Sequence, residues 1–402
     1  MVKELAINGG KPMRDKMLPY GHQWIDQDDI KAVSEVLQSD WITQGPKVEE
    51  FEKNFATYVG ARYAIAVNSG TAALHTACFA AGISKGDRVI TTPITFVASA
   101  NCVIYQGGTP VFADIKEDTL NIDPEEIKKK ITSDTRAIIP VDFTGLPADL
   151  EEILQIARKN NLVVIEDASH ALGATYKGSK IGSISDMTIF SFHPVKHITT
   201  GEGGMITTNN KKYYERLKLF RTHGITKEKD KLLNYEGPWY YEMQELGYNY
   251  RLTDFQCALG LSQLKKIDRI IQRRREIVQK YNSEFKDIIE IKIPEINPID
   301  SNPVWHIYMV QLNLDRLKVD RREIFEALRA ENIGVNVHYI PVHLQPYYRN
   351  KYNYHQGDFP KAERYYSRAI TLPIFPKMTE KDINDVIKAV KKVISYYKKF
   401  NL

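Results

Sequence analysis

Lys196 sits between a run of β-forming residues, Met187 to Phe192, and a glycine-rich stretch, Gly201-Glu202-Gly203-Gly204. A lysine amine attacks a carbonyl carbon only when it is unprotonated, so this position can do chemistry if burial or a cationic neighbour lowers its pKa. The glycines that follow let backbone pass close to a ligand. Most lysines are solvated surface charges, so Lys196 gains meaning only from what the rest of the chain places beside it.

Three other stretches carry matching groups. Asn68-Ser69-Gly70-Thr71-Ala72 reads as a strand-to-helix turn. Free amides at a helix start, with hydroxyls from Ser69 and Thr71 and close approach at Gly70, make a phosphate cradle; Ser69 as a simple N-cap fits the same residues. Val163 to His170 is an apolar strand ending in Glu166-Asp167. Alternation puts these two acids on opposite sides, so one can face a site above the strand end. A carboxylate there can keep a pyridinium nitrogen protonated, as pyridoxal phosphate requires, or can cap the next turn. His170 either orients that carboxylate or packs. In Thr92-Pro93-Ile94-Thr95-Phe96, Phe96 is suited to stack on a flat ring or to fill core. No Gly-Lys-Ser/Thr phosphate loop and no Gly-x-Gly-x-x-Gly after a strand is present, which disfavours a nicotinamide enzyme.

These groups each fall at a strand end, and the elements between them alternate. Strands are predicted at 63–67, 88–92, 110–115, 137–141, 162–166, 187–192 and 205–208, with helices at 72–81, 97–105, from Asp123-Pro124, and at 149–160. Such alternation predicts an α/β fold with an open, mostly parallel sheet flanked by helices, with ligands outside the carboxyl ends of its strands. Earlier helices are predicted from Asp26 or Asp28 to Leu37 and over 47–58. Beyond a helix at 213–220 and an irregular insert at 226–245, one long amphipathic helix from about Ala258 to Tyr281 leads into a smaller α+β domain. That domain is expected to hold strands at 289–293, 304–312 and 335–340 and helices at 321–332, 362–369 and 379–397. The domain reading is an N-terminal arm at 1–19, a large cofactor-binding domain at 20–255, and a bridging helix with the small domain at 256–402.

Composition narrows the function classes. The 402 residues are 43% hydrophobic and 26% charged, with 55 Lys and Arg against 50 Asp and Glu. The resulting +5 is mild and dispersed, so it permits anionic ligands without calling for nucleic acid. Arg273-Arg274-Arg275 falls within a helical pattern and reads as a helix face. Cys78, Cys102 and Cys257 are far apart in apolar surroundings, which predicts buried thiols in a reducing cytoplasm. Neither a signal-peptide core nor a bilayer-length apolar run is seen, and no membrane partner or metal is expected.

Taken together, Asn-Ser-Gly-Thr-Ala-Ala-Leu, Thr-Pro-x-Thr-Phe, Glu-Asp-Ala-Ser-His, Ser-Phe-His-Pro-x-Lys with Gly-Glu-Gly-Gly, and Gly-Tyr-Asn-Tyr-Arg-Leu-Thr-Asp at 247–254 resemble the DegT/StrS family of pyridoxal-phosphate sugar aminotransferases. The resemblance runs from about Leu18 to the C-terminus and implies the type I aminotransferase fold. The segments 17–26, 39–46 and 338–343 look most similar to the C4 aminotransferases of the pseudaminic acid pathway, which act on a UDP-linked 4-keto-6-deoxy-N-acetyl hexose.

Carried over by position, the resemblance implies that Lys196 bears pyridoxal 5'-phosphate (PLP), which alternates with its amino form PMP, and that Asp167 pairs with the ring nitrogen. Gly70, Thr71 and Ser191 hold the phosphate, with Ser69 and His170 in the same pocket, and Phe96 stacks on the ring. Asn249 reaches a neighbouring subunit's phosphate site, so the resemblance implies a homodimer with shared active sites. Tyr20, Trp41, Ile42, Thr43, Gln44, Ser69, Asn249, Arg251, His338, Tyr339, Ile340 and Pro341 line the nucleotide-sugar pocket. Glutamate is the implied amino donor. A branch of the family has histidine in place of the lysine and dehydrates its sugar; here the spacing of five residues from both Ser191 and Gly201 falls on Lys196 rather than His197. Amination at C3, or of another nucleotide keto sugar, is the alternative within enzymes. A non-catalytic pyridoxal-binding regulator is the alternative outside them, and the chain shows no separate DNA-reading module.

Overall fold

The computed structural model describes residues 4–294 and 300–399, so the first three residues of the predicted arm lie outside the described residues. Seven strands make the central sheet: β1 (Tyr63–Val67), β2 (Arg88–Thr91), β3 (Thr109–Phe112), β4 (Thr135–Ile139), β5 (Val163–Asp167), β6 (Met187–Ser191) and β7 (Gly204–Thr208). Their order is β1-β7-β6-β5-β4-β2-β3. The pairs from β6 through β5, β4 and β2 to β3 are parallel, whereas β7 runs antiparallel to both β1 and β6. The expected α/β architecture is therefore the observed one. The strands read as near-continuous apolar runs because helices cover both faces, and Ile65, Val89, Ile138, Val164, Ile189 and Ile206 are fully buried.

Local chemistry starts the helices near the site. Asp26 caps α1 (Gln27–Leu37) in a capping box with Asp29, and Pro46 opens α2 (Pro46–Val59). Ser69 caps α3 (Gly70–Ala80), whose alanines let it lie buried beneath the sheet. A shorter helix, α4 (Ala98–Tyr105), follows the Thr-Pro-x-Thr-Phe turn. All three cysteines are free and buried, Cys78 in α3, Cys102 in α4 and Cys257 in the helix Asp254–Leu264.

Several predicted elements differ in the structure. The long amphipathic helix is two, Asp254–Leu264 and Ile267–Phe285. The break falls at Lys266, whose Nζ is drawn to Asp26 Oδ2 at 2.6 Å and Asp29 Oδ2 at 2.7 Å on α1. Residues 335–340 form no strand; Asn336 alone bridges Thr371. The small sheet instead has the order Ile291–Lys292, Tyr308–Leu312, Ala369–Leu372. The preceding helix is Pro360–Arg368, and Asp114, just past β3, accepts from Lys361 N and Ala362 N, both at 3.0 Å. The middle strand begins only at Tyr308 because Val304 N and His306 N donate to Gly145 O at 3.1 Å and Thr144 O at 2.8 Å, with Trp305 at φ 53° between them. The insert at 226–245 is anchored by a short pairing of Ile225–Thr226 with Glu242–Met243.

The arm packs on the C-terminal part. Leu5 and Leu18 are buried in the core with Ile277, Tyr281, Val310 and Val390. Buried Glu331 accepts from Ala6 N at 3.0 Å and Met13 N at 2.9 Å. Among the described residues no helix is long and apolar enough to cross a membrane.

Candidate active site

A cavity of about 630 Å³ opens at the carboxyl ends of the parallel strands. Ser69, Gly70, Thr71, Phe96, Ser99, Asp167, His170 and Lys196 all line it. Tyr20, Ser191, His338, Tyr339 and Ile340 also line it. The cavity thus gathers twelve of the sequence-predicted residues: Lys196, Asp167, Ser69, Gly70, Thr71, Phe96, His170, Ser191, Tyr20, His338, Tyr339 and Ile340.

The Lys196 loop is built by pairing at its base. Phe192 N donates to Gly203 O at 2.9 Å, and Thr200 N and the Thr199 hydroxyl both donate to Phe192 O. Inside this loop Lys196 N bonds His193 O at 2.9 Å, which turns its side chain to the cavity. His197 is turned away, with Nε2 at 3.1 Å from Val304 O. Burial pushes the Lys196 amine down to about 8, against the opposing pull of the Asp167 charge. Gly204 serves backbone rather than ligand, since a Cβ there would meet Ser69 O at 2.5 Å.

Asp167 is held on both oxygens. The Ser99 hydroxyl donates to Oδ2 at 2.7 Å, and Ser169 N donates to Oδ1 at 3.1 Å. Ser99 in turn lies 2.8 Å from the Thr95 hydroxyl. Alternation sends Glu166 the other way, where Oε2 accepts from Thr188 Oγ1 at 2.8 Å. The strand end therefore offers the cavity one carboxylate, Asp167.

The cradle fits a phosphate. The Ser69 hydroxyl is used on Ala72 N at 3.0 Å, so it is the cap. The amides of Gly70 and Thr71 then have no acceptor within the helix and line the cavity. A Cβ on Gly70 would come within 3.0 Å of Ser191 Cβ, so glycine is what lets the cradle close on the Ser191 hydroxyl. Phe96 is 59% exposed over the cavity, an apolar ring left open where a flat partner can cover it. Carbonyl-seeking amine, carboxylate, anion-binding amides and open aromatic face are the four groups that pyridoxal phosphate asks for.

Three buried imidazoles, His170, His306 and His338, line the cavity. His170 lies with its ring centroid 4.2 Å from that of His306, and its Nε2 is 3.3 Å from the Tyr339 hydroxyl. Burial holds His170, His197 and His306 well below the ordinary imidazole range, and the Lys196 charge adds to this. His338 is pushed down to about 4 by burial, while its Nδ1 lies 2.9 Å from Thr371 Oγ1. These four histidines are neutral at physiological pH, and the cations that bear on them are Lys196 and the buried Arg274.

The remaining predicted residues lie elsewhere in the chain. Trp41, Ile42, Thr43, Gln44, Asn249, Arg251 and Pro341 do not line the cavity. Residues 41–44 and 249–253 are neighbours instead, joined by the Thr43–Thr253 bridge. Asp254 N donates to Ile42 O at 3.0 Å. Its buried carboxylate accepts from Gly45 N at 2.7 Å and Lys47 N at 2.9 Å. Sequence reasoning missed Thr95, Ser99, His306, Asn336 and Gln345. The first two had a signal, hydroxyls four residues apart at a helix start; the others come from loops whose approach no periodicity predicts.

Residues 23–391 match the DegT/DnrJ/EryC1/StrS aminotransferase family. The chain belongs to this family. It is a pyridoxal-phosphate-dependent sugar aminotransferase, and solved structures similar to it include PLP and PMP forms. It is 44% identical to the spore coat polysaccharide biosynthesis protein SpsC of Bacillus subtilis, over 95% of this chain and 98% of that one. It is 40% identical to the UDP-4-amino-4,6-dideoxy-N-acetyl-beta-L-altrosamine transaminase of Campylobacter jejuni, over 95% of this chain and 99% of that one. Among solved structures it resembles PseC of Helicobacter pylori, an aminotransferase of pseudaminic acid biosynthesis, with a TM-score of 0.88 and 33% identity, over 95% of this chain and 100% of that one.

Proposed function

We propose that this aminotransferase aminates C4 of a UDP-linked 4-keto-6-deoxy-N-acetyl hexose, with glutamate as donor, in nonulosonic (pseudaminic) acid biosynthesis in the cytoplasm. The observation that carries the chemistry is the convergence of Lys196, Asp167, Gly70-Thr71 and Phe96 on one cavity. Support for the substrate comes from the similarity to the Campylobacter transaminase and to PseC. The similarity to SpsC favours the second reading, amination of a different nucleotide keto sugar on the same machinery.

When bound, pyridoxal phosphate supplies an electrophilic carbon and an electron sink. The chain's own residues do the rest. The Gly70 and Thr71 amides with Ser191 would anchor the phosphate, Phe96 would pack on the ring, and Asp167, fixed by Ser99, would hold the proton on the ring nitrogen. Lys196 Nζ would take the proton from the donor's α-carbon and pass it to the cofactor's electrophilic carbon, so its work is positioning as much as basicity. Tyr20 and the 338–340 segment face the sugar.

Residues 41–44, Asn249 and Arg251 complete the site of a second copy. Trp41 and Ile42 are exposed in the single chain, at 58% and 51%. Burying them in a homodimer accounts for apolar groups that a monomer leaves in water.

The test is turnover with PLP, glutamate and a panel of UDP-keto sugars, with NMR of the product. A 4-amino product from the 4-keto-6-deoxy sugar is expected; amination at C3, or of another sugar alone, selects the second reading. Full transamination by Lys196→Arg would overturn the chemistry.

A further inference from the structure

Behind Asp167, on the face of β5 turned from the cavity, two carboxyl groups meet. Asp142, just past β4, and Glu166 are both fully buried. Neither makes an ion pair with a cation among the described residues, and Asp142 Oδ2 and Glu166 Oε1 are left without partners when both groups are taken as carboxylates. Two naked anions cannot sit together in such a place.

One proton resolves the arrangement. Asp142 Oδ1 already accepts from Ala148 N at 2.9 Å. A proton on Asp142 Oδ2 is then donated to Glu166, whose other oxygen accepts from Thr188 Oγ1 and which has the Ser185 hydroxyl beside it. Burial raises both above the ordinary carboxyl range; the Glu166 charge adds to the rise in Asp142, whereas the hydrogen bond from Asp142 offsets part of the rise in Glu166. The other charged group facing the pair is Asp167; Thr188 on β6 and Ala148 N from the loop after β4 are neutral donors, and the Ser185 hydroxyl lies near without a bond of its own. Asp142 also ties the ends of β4 and β5 together, since its N donates to Asp167 O at 3.1 Å while Asp167 N donates to Pro140 O at 2.8 Å.

We propose that Asp142 and Glu166 form a carboxylic acid–carboxylate pair that positions Asp167 and sets a fixed negative charge behind it. The proton stays within the pair and does not enter the reaction. Its effect on the cofactor rests on the reading of Asp167 given above.

The experiment uses the full chain, first stripped of cofactor. Asp142→Asn keeps both hydrogen bonds, its Nδ2 donating to Glu166, and needs no shared proton. The folded wild type holds a proton that the unfolded chain releases above about pH 4. Its unfolding constant relative to Asp142→Asn therefore grows about tenfold per pH unit above that point, until the pair itself ionises. An infrared carboxylic-acid C=O band at neutral pH is expected in the wild type and absent in Asp142→Asn. Parallel unfolding of the two proteins with pH, or no acid band, overturns the shared proton.

The second arm uses PLP-loaded protein. Asp142→Asn with Glu166→Gln removes the charge but keeps the shape. The visible cofactor band is expected to titrate at a pH lower by about half a unit or more, while Asp142→Asn alone leaves it in place. An unmoved band in the double variant overturns the link to Asp167. If the wild type took up no PLP, the reading of Asp167 would fall, and the infrared and unfolding arms would still decide the acid pair.

Discussion

The depressed amine of Lys196 makes a quantitative prediction. Burial brings its pKa from 10.5 to about 8. At neutral pH the free amine is then on the order of 300-fold more abundant than on an exposed lysine. The rate at which cofactor-free protein captures PLP is expected to rise about tenfold per pH unit below 8 and to level off just above it. Stopped-flow absorbance against pH reads this directly. The sign of the Asp167 effect is fixed as well: its charge raises the Lys196 pKa, so Asp167→Asn moves the plateau to lower pH. Stability carries the same signature. Folded Lys196 releases its proton before unfolded lysine does, so the cost of burying the charge is fully present below about pH 8 and is relieved as pH rises toward 10.5. Against Lys196→Met, the wild type gains about 3 kcal/mol over that window. A capture rate still climbing tenfold per unit at about pH 10 would show an ordinary lysine and refute the reasoning.

Other perturbations test the frame around the amine. Ser99→Ala removes the 2.7 Å bond to Asp167 Oδ2; a lost bond to a charged group of about 2 kcal/mol weakens PLP binding by roughly 30-fold, read by absorbance titration. Gly70→Ala pushes a methyl to 3.0 Å from Ser191 Cβ; PLP affinity is expected to fall about tenfold or more, with thermal stability within about 1 kcal/mol of wild type because alanine suits a helix start. Asp254→Ala strands two amides, Gly45 N and Lys47 N; denaturant unfolding is expected to show a loss of about 3 kcal/mol.

The large sheet was legible because its signals are local. β1 matches its predicted bounds, and β2 to β7 begin or end within a few residues of theirs, since each is a short apolar run closed by a polar turn. The C-terminal third was less so. Residues 335–340 carry a strand's alternation, yet only Asn336 of that run exchanges backbone hydrogen bonds with Thr371, and Gly334 N just before it goes to Leu18 O. Conversely, the helix read at 362–369 spans Pro360–Arg368, and Ala369 begins a strand; the Asp114 carboxylate that caps this helix stands nearly 250 residues away in sequence. Long-range capping leaves no periodic trace.

The active site divides along the same line. Groups at strand ends (Gly70, Phe96, Asp167, Ser191 and Lys196) could be read because a parallel sheet brings the ends of its strands to one edge. His306 and Gln345 arrive from loops, and only the fold puts them there. The acid pair was half visible. Alternation said that Glu166 and Asp167 face opposite ways, which identifies one of them as the cavity group but leaves the other needing a partner. Asp142 supplies it from the neighbouring strand end, a relation that follows from β4 lying beside β5 and from nothing closer in sequence. A buried acid without a cation must find a proton donor. That requirement turns a strand-end dipeptide read for its site-facing member into a device with two sides, one for the cofactor and one that holds the first in place.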